Sequence, residues 1–240
     1  MRRSHGFYRA IPRSPLHEPN AFTLCPDVPE DASALTPFLY PTLALDAENL
    51  ACRRGGRLIF EGLAFRLGNG EAIALTGRNG AGKSSLLAML CGRLRPDAGM
   101  IRVEGAAETP PVELIHLVGH RDGLKTALTG QENLAFAQAL LGDPALSPEE
   151  ALAGVGLPHV AALPVGYLSA GQRRRVALAR LLVSRRPFWL LDEPMAALDL
   201  AAQAMLTRLM RDHLARGGAI LAATHGPLGL DGARELRIGP

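Results

Sequence analysis

Gly77-Arg78-Asn79-Gly80-Ala81-Gly82-Lys83-Ser84 is the stretch on which the fold turns. It fits the pattern GxxxxGK[ST] in full. It follows a short apolar run, GEAIALTG, and precedes SSLLAMLCGRL, a helical pattern closed by Gly92 and then Pro96. Strand, glycine-rich turn and helix form the setting in which such a loop binds phosphate. Gly77, Gly80 and Gly82 let the backbone of residues 77–85, including Arg78, Asn79, Ala81 and Ser85, curl until its N–H groups point inward. Together with the helix N-terminus they make a concave anion site. Lys83 supplies a point charge for β- and γ-phosphates, and the Ser84 hydroxyl is an oxygen ligand for Mg²⁺. The loop alone means binding of a nucleotide's phosphates; it does not choose among kinases, GTPases and ATPases.

Moving outward, PFWLLDEP supplies a second element. Four apolar residues make a buried strand, and Asp192 emerges at its C-terminal end, beside the loop in a layered α/β fold. Asp192 is therefore expected to hold Mg²⁺ directly or through water. Glu193 follows it, where a carboxylate can orient and deprotonate an attacking water. Twenty residues before Asp192 stands Gln172, in Leu168-Ser169-Ala170-Gly171-Gln172, at the head of the helical pattern RRRVALARLLVS. Ser169 and Gln172 fit a capping box, as do Thr129 with Glu132 and Ser147 with Glu150. A helix tip carrying a hydroxyl and free N–H groups can face an anion.

Taken with the loop and the LLDE strand end, LSAGQ resembles the ABC (ATP-binding-cassette) ATPase family, whose diagnostic motif is LSGGQ. Ala170 replaces the first glycine and keeps a small side chain. The resemblance implies a fold and a mechanism. The fold is α/β, a P-loop NTPase of ABC type with a mixed sheet, an inserted helical subdomain at about 124–184 and an N-terminal antiparallel β part. In the mechanism, Ser169, Ala170, Gly171 and Gln172 contact the γ-phosphate held by the opposite subunit, so that a homodimer forms two composite ATP sites. Ala196-Ala197-Leu198-Asp199 resembles the loop that crosses that interface, and Asp199 also fits a helix N-cap. His225, after Thr224 at the end of AILAATH, stands where the family has its switch histidine. Two positions depart from the pattern. His120 stands where the family has a glutamine, within reach of the metal region. Arg54 stands where it has an adenine-stacking aromatic; a guanidinium plane can lie on a purine face instead.

Within the family, GHRDGLKTALTGQENL, with YLSAGQRRRVALARLL and LLDEPMAALD, resembles the ATP-binding export proteins of cytochrome c biogenesis, the haem-exporter branch. The likeness covers about residues 43–238. It implies ATP and Mg²⁺ as cofactors, integral membrane transporter subunits as partners, and a peripheral position on the cytoplasmic face of the inner membrane. Haem would be met only indirectly: His116, His120, His159 and His213 have no CxxCH context. The alternatives are an ABC ATPase for another substrate or a soluble, non-transport one, a kind that usually carries two cassettes or a coiled-coil insertion.

The rest of the chain bounds these readings. It has 240 residues, 48% of them hydrophobic, and a formal charge of only +3, which gives nucleic-acid binding little support. Cys25, Cys52 and Cys91 form no CxxC pair, which argues against a zinc site or a disulfide framework. No apolar run reaches the 18 residues a membrane span needs. Residues 1–41 carry Pro12, Pro15, Pro19, Pro26, Pro29, Pro37 and Pro41 with no helical or strand period. They read as a disordered extension, or as the product of a start placed too far upstream, ahead of a domain at 42–240. Antiparallel strands are expected in TLALDAENLAC and RLIFEGLAFRL, a strand in VELIHLVGH, and an amphipathic helix in DLAAQAMLTRLMRDHLAR.

Overall fold

A computed structural model of the chain describes residues 38–239; the expectation for residues 1–37 falls outside them. Ahead of Thr42, the Tyr40 amide donates to the Arg216 carbonyl at 2.9 Å and Asn69 Nδ2 to the Pro41 carbonyl at 2.9 Å.

The chain forms β1 (Ala44–Arg54), β2 (Arg57–Gly68), β3 (Ala72–Thr76), α1 (Lys83–Leu90), β4 (Ala98–Glu104), α2 (Pro111–Leu114) and β5 (Ile115–Val118). There follow α3 (Gly130–Leu141), α4 (Pro148–Gly154), α5 (Ala170–Ala179), β6 (Phe188–Asp192), α6 (Leu200–Ala215), β7 (Ala219–Ala223) and β8 (Arg234–Arg237). Two sheets result. One is antiparallel in the order β2-β1-β4; the other is parallel in the order β5-β6-β7-β3-β8. Among the described residues, β4 and β8 are strands that no apolar alternation announced. Both are edge strands with mostly exposed side chains, held by backbone pairing rather than by a buried face.

VELIHLVGH is strand only over Ile115–Val118. Pro110 and Pro111 start a helical turn instead, proline being suited to the first helical position, where no N–H is needed. The three capping boxes form as expected: Thr129, Ser147 and Ser169 each accept from the N–H three residues on, and Glu132, Glu150 and Gln172 return the bond. Asp199 caps α6 through Ala202 N–H at 2.8 Å. Each such cap is worth about 1 kcal/mol.

The period of two along the parallel strands sorts the core. Phe188 and Leu190 of β6, with Ile73, Leu75, Leu221 and Ala223, pack toward α1 and the antiparallel sheet. Trp189 and Leu191, with Ile220 and Ala222, pack on the other side against Leu206 and Met210 of α6. The helical block, α3 to α5, has a core of its own around Leu134, Leu152, Leu157, Val176 and Val183. By the same alternation Asp192 shares the side of Phe188 and Leu190, the side of α1.

On the α6 side, His116 of β5 is the registered neighbour of Trp189, and the Trp189 ring stacks on His213 of α6 at 3.8 Å. Burial pushes the His116 imidazole down to about 3 and that of His213 to about 4. Both are therefore neutral in the folded chain, while in the unfolded chain each takes a proton near 6.5. A depressed histidine contributes stability that is complete above the unfolded value and is lost as the pH falls below it. By pH 5.5 the pair is expected to cost about 3 kcal/mol, at roughly 1.4 kcal/mol per group per pH unit. Thermal melts between pH 7.5 and 5.0 should show Tm falling steeply below about pH 6.5, and His116→Phe should remove part of the slope. A Tm independent of pH across that interval would contradict this.

Candidate nucleotide site

β3 ends at Thr76, and the chain turns through the glycine loop into α1. Gly77, Gly80 and Gly82 all have positive φ, at 144°, 83° and 105°. The requirement for glycine is steric at two of them. A Cβ on residue 77 would fall 2.4 Å from the Ile238 carbonyl oxygen, and one on residue 82 would fall 2.6 Å from Ile59 Cγ2. The loop is thereby wedged between the end of β8 and the start of β2, and its remaining face opens on a cleft of about 560 Å³.

Arg78, Asn79, Gly80, Gly82, Lys83, Ser84 and Ser85 line that cleft from the loop side. Asp192 and Glu193 enter from the end of β6, His225 from beyond β7, His120 from beyond β5 and Arg54 from the end of β1. The C-terminal ends of three neighbouring parallel strands thus converge on the loop, where an open α/β sheet places its ligands. Of the residues expected at the nucleotide, Gly77 and Ala81 lie behind this lining. Gly77 contributes its carbonyl to Lys83, and Ala81 closes a turn through its N–H to the Arg78 carbonyl. Ile59, which no motif marked, is part of the wall.

Lys83 is buried, and its Nζ donates to the Gly77 carbonyl at 2.8 Å. It also stands 3.2 Å from His225 Nε2. An ammonium has no lone pair and can only donate. His225 Nε2 accepts from it in the tautomer whose ring proton is on Nδ1. The same Nε2 lies 3.4 Å from Glu193 Oε1, toward which the other tautomer would donate. The Ser84 hydroxyl donates to Asp192 Oδ2 at 2.9 Å. These two hard oxygen donors, one exposed to the cleft and one buried, suit a magnesium ion, which prefers oxygen. His120 offers nitrogen, a softer match.

Glu193 has φ +48°, the left-handed region, and its N–H donates to the Ala223 carbonyl at 2.9 Å. A side chain in that region costs about 1–2 kcal/mol and needs surroundings that hold it. Part of the support comes from a residue that the reading of motifs passed over. Arg174, 4% exposed, donates to the carbonyls of both Asp192 and Glu193 at 2.9 Å. The signal was available: Arg174 lies at helical spacing from Ala177, Leu178 and Leu181, all buried.

At the tip of α5, Ser169 and Ala170 are exposed and Gly171 and Gln172 half-buried; none of them lines the cleft of its own chain, nor does Asp199. The Ser169 Oγ accepts from Gln172 N–H at 3.2 Å, which leaves the hydroxyl proton free to donate outward. Gly171 allows α5 to approach the 196–199 loop, since a Cβ there would stand 3.1 Å from the Ala197 carbonyl oxygen.

The sequence model of the family described as "ABC transporter" matches residues 60–196. The chain is 55% identical over 198 residues to the "Cytochrome c biogenesis ATP-binding export protein CcmA" of Rhodopseudomonas palustris (strain HaA2), covering 82% of this chain and 98% of that one. It is likewise 55% identical over 198 residues to the protein of the same name from Bradyrhizobium diazoefficiens, with 82% and 98% covered. Among solved structures, "Structure of ATP binding subunit of ABC transporter" superposes with a TM-score of 0.68 at 26% identity, over 75% of this chain and 79% of that one.

Proposed function

The chain belongs to the ABC transporter family of ATP-binding proteins, and from that footing we propose that it is the ATP-hydrolysing subunit of a membrane export complex in cytochrome c biogenesis, acting as a homodimer against integral membrane subunits. One observation carries the reading: Lys83, the Ser84–Asp192 pair, Glu193 and His225 meet in a single cleft on the glycine loop.

In this reading the loop amides and Lys83 take the β- and γ-phosphates, and Arg54 lies against the purine. Ser84 and Asp192 hold Mg²⁺, which when bound neutralises phosphate charge. Glu193 accepts the proton of a water attacking the γ-phosphorus; the bond to the β-phosphate oxygen breaks, giving ADP and phosphate. When the terminal phosphate draws off the Lys83 ammonium, His225 Nε2 is released, and in the tautomer that carries the ring proton on Nε2 it donates to a phosphate oxygen. The tip of α5 does not line its own cleft, which supports its serving the phosphate held by a second copy in a head-to-tail pair. Closure and opening of that pair are what the membrane subunits would read.

The place in the cell follows as part of the proposal. No helix among the described residues is long and apolar enough to cross a membrane, so the chain would sit peripherally on the cytoplasmic face, held by its partners. Haem would be handled by those partners, since His116 and His213 are spent in packing around Trp189. Purification from native membranes is the direct test: membrane subunits should co-purify, with haem detected in the complex by its absorption spectrum. Recovery of the chain free of any membrane subunit would overturn the proposal.

We also assign partner contact to the segment after His120. Lys125 is exposed, with its Nζ 5.0 Å from the Phe136 ring centre, and Phe136 and Leu140 are 52% and 72% exposed beside it. Leu124 packs on the core of the helical block, so Leu124→Glu would mix loss of contact with loss of stability. Lys125→Glu is the cleaner change. It should reduce partner recovery in a pull-down by ~10-fold, by reversing a rim charge, while ATP affinity stays within ~2-fold. Unchanged partner recovery would refute the assignment.

A further inference from the structure

Arg174 makes more connections than any role in packing requires. One terminal nitrogen donates to the carbonyls of Asp192 and Glu193, both at 2.9 Å. The other donates to the Gly119 carbonyl at 2.8 Å and stands 3.3 Å from Asp122 Oδ1. Asp122 is the carboxylate that balances a guanidinium otherwise buried from water. A second arginine of the same segment, Arg180, donates to the Asp122 carbonyl at 3.3 Å. Two pieces of chain are thus tied to α5, whose tip touches the 196–199 loop at Gly171: the end of β6 with its two carboxylates, and the 119–122 turn that carries His120.

The geometry is selective. The Glu193 carbonyl points toward Arg174 with the residue in the left-handed region. In an ordinary β or α conformation that carbonyl would turn away, and a buried guanidinium N–H would lose its acceptor at a cost of about 1–3 kcal/mol. A planar fork with fixed donors can hold two consecutive carbonyls on one side and the 119–122 turn on the other; a flexible ammonium cannot span all of them. Arg174 does not line the cleft, so its influence on turnover is exerted through the backbone it holds.

We infer that Arg174 is a positioning residue: it sets the Glu193 carboxylate for proton transfer and locks the His120 turn to α5, so that these parts move as one unit when the helix tip engages a partner copy. The inference rests on Glu193 being the base. It predicts a defect in the chemical step and not in nucleotide capture.

The test is steady-state ATPase kinetics with parallel ATP-binding and melting measurements on Arg174→Gln, Arg174→Lys, Asp122→Asn, Glu193→Gln and the double variant Arg174→Gln/Glu193→Gln. Arg174→Gln is expected to lower kcat ~10–100-fold, the scale of a misplaced catalytic group, with ATP affinity within ~3-fold of the unaltered chain. Arg174→Lys should recover part of the loss, and Asp122→Asn, which leaves the carbonyl contacts to β6 intact, should cost less than Arg174→Gln. In the double variant the residual rate should match that of Glu193→Gln alone, because the arginine acts through a carboxylate no longer present; a purely structural arginine would give additive losses. A folded Arg174→Gln with kcat within ~2-fold of the unaltered chain, or additive losses in the double variant, overturns the inference while leaving Glu193 as the base. Full turnover in Glu193→Gln would instead remove the base assignment and this inference together. If Arg174→Gln does not fold, the same criteria apply to Arg174→Lys, which keeps the buried charge paired with Asp122.

Discussion

Glu193→Gln should bind Mg²⁺-ATP about as tightly as the unaltered chain and yet turn it over ~10²–10⁴-fold more slowly, the span that removal of a positioned base commands. The amide is isosteric, so the left-handed backbone at 193, the N–H to Ala223 and the two carbonyls on Arg174 all survive. What is lost is the capacity to accept a proton. A pair of chains that closes on ATP and opens on hydrolysis should then accumulate closed. Light scattering after size exclusion with Mg²⁺-ATP is expected to give twice the mass of one chain, reverting when nucleotide is removed. A Glu193→Gln protein hydrolysing ATP at the normal rate would mean that another group takes the proton.

Lys83→Ala should abolish measurable ATP hydrolysis and weaken ATP binding by ~10²–10³-fold, the loss typical of one preorganised charged donor at a phosphoryl group. Fold stability should hold up better than burial of Lys83 suggests, since truncation strands only the Gly77 carbonyl and His225 Nε2, which water in an open cleft can satisfy. A sharper outcome comes from pairing it with Ser169→Arg, which blocks the tip of α5. Each variant alone should be inactive. Mixed, they form some pairs in which one site carries both defects and the other carries neither, so activity should return. No head-to-head or monomeric mechanism gives that recovery, and its absence, with mixed pairs shown to form, would end the head-to-tail reading.

How much of this was legible in the residues depends on the range of the signal. The glycine loop and the three capping boxes are local, each settled within a few positions, and the structure has them where the patterns put them. The orientation of Asp192 was also legible, because a period of two along FWLLD fixes which side of the sheet it faces. β4 and β8 were not: AGMIRVE and RELR expose most of their side chains, and what holds them is backbone pairing with strands distant in the chain. VEL at 112–114 reads as strand by composition, but the two prolines ahead of it favour a helical turn. Arg174 was hidden differently. The run of three arginines marks the head of the helix, and only the helical phase of its buried neighbours reveals that the middle one points inward.

Trp189 is the only tryptophan of the chain, and its ring lies against the imidazole of His213. Three residues further along the same strand comes Asp192. The molecule therefore carries an intrinsic optical reporter. Its ultraviolet emission should be blue-shifted in the dry interior and should respond as acid opens the aromatic sandwich. Ligand capture at the mouth of the sheet should register in the same signal, with no label attached.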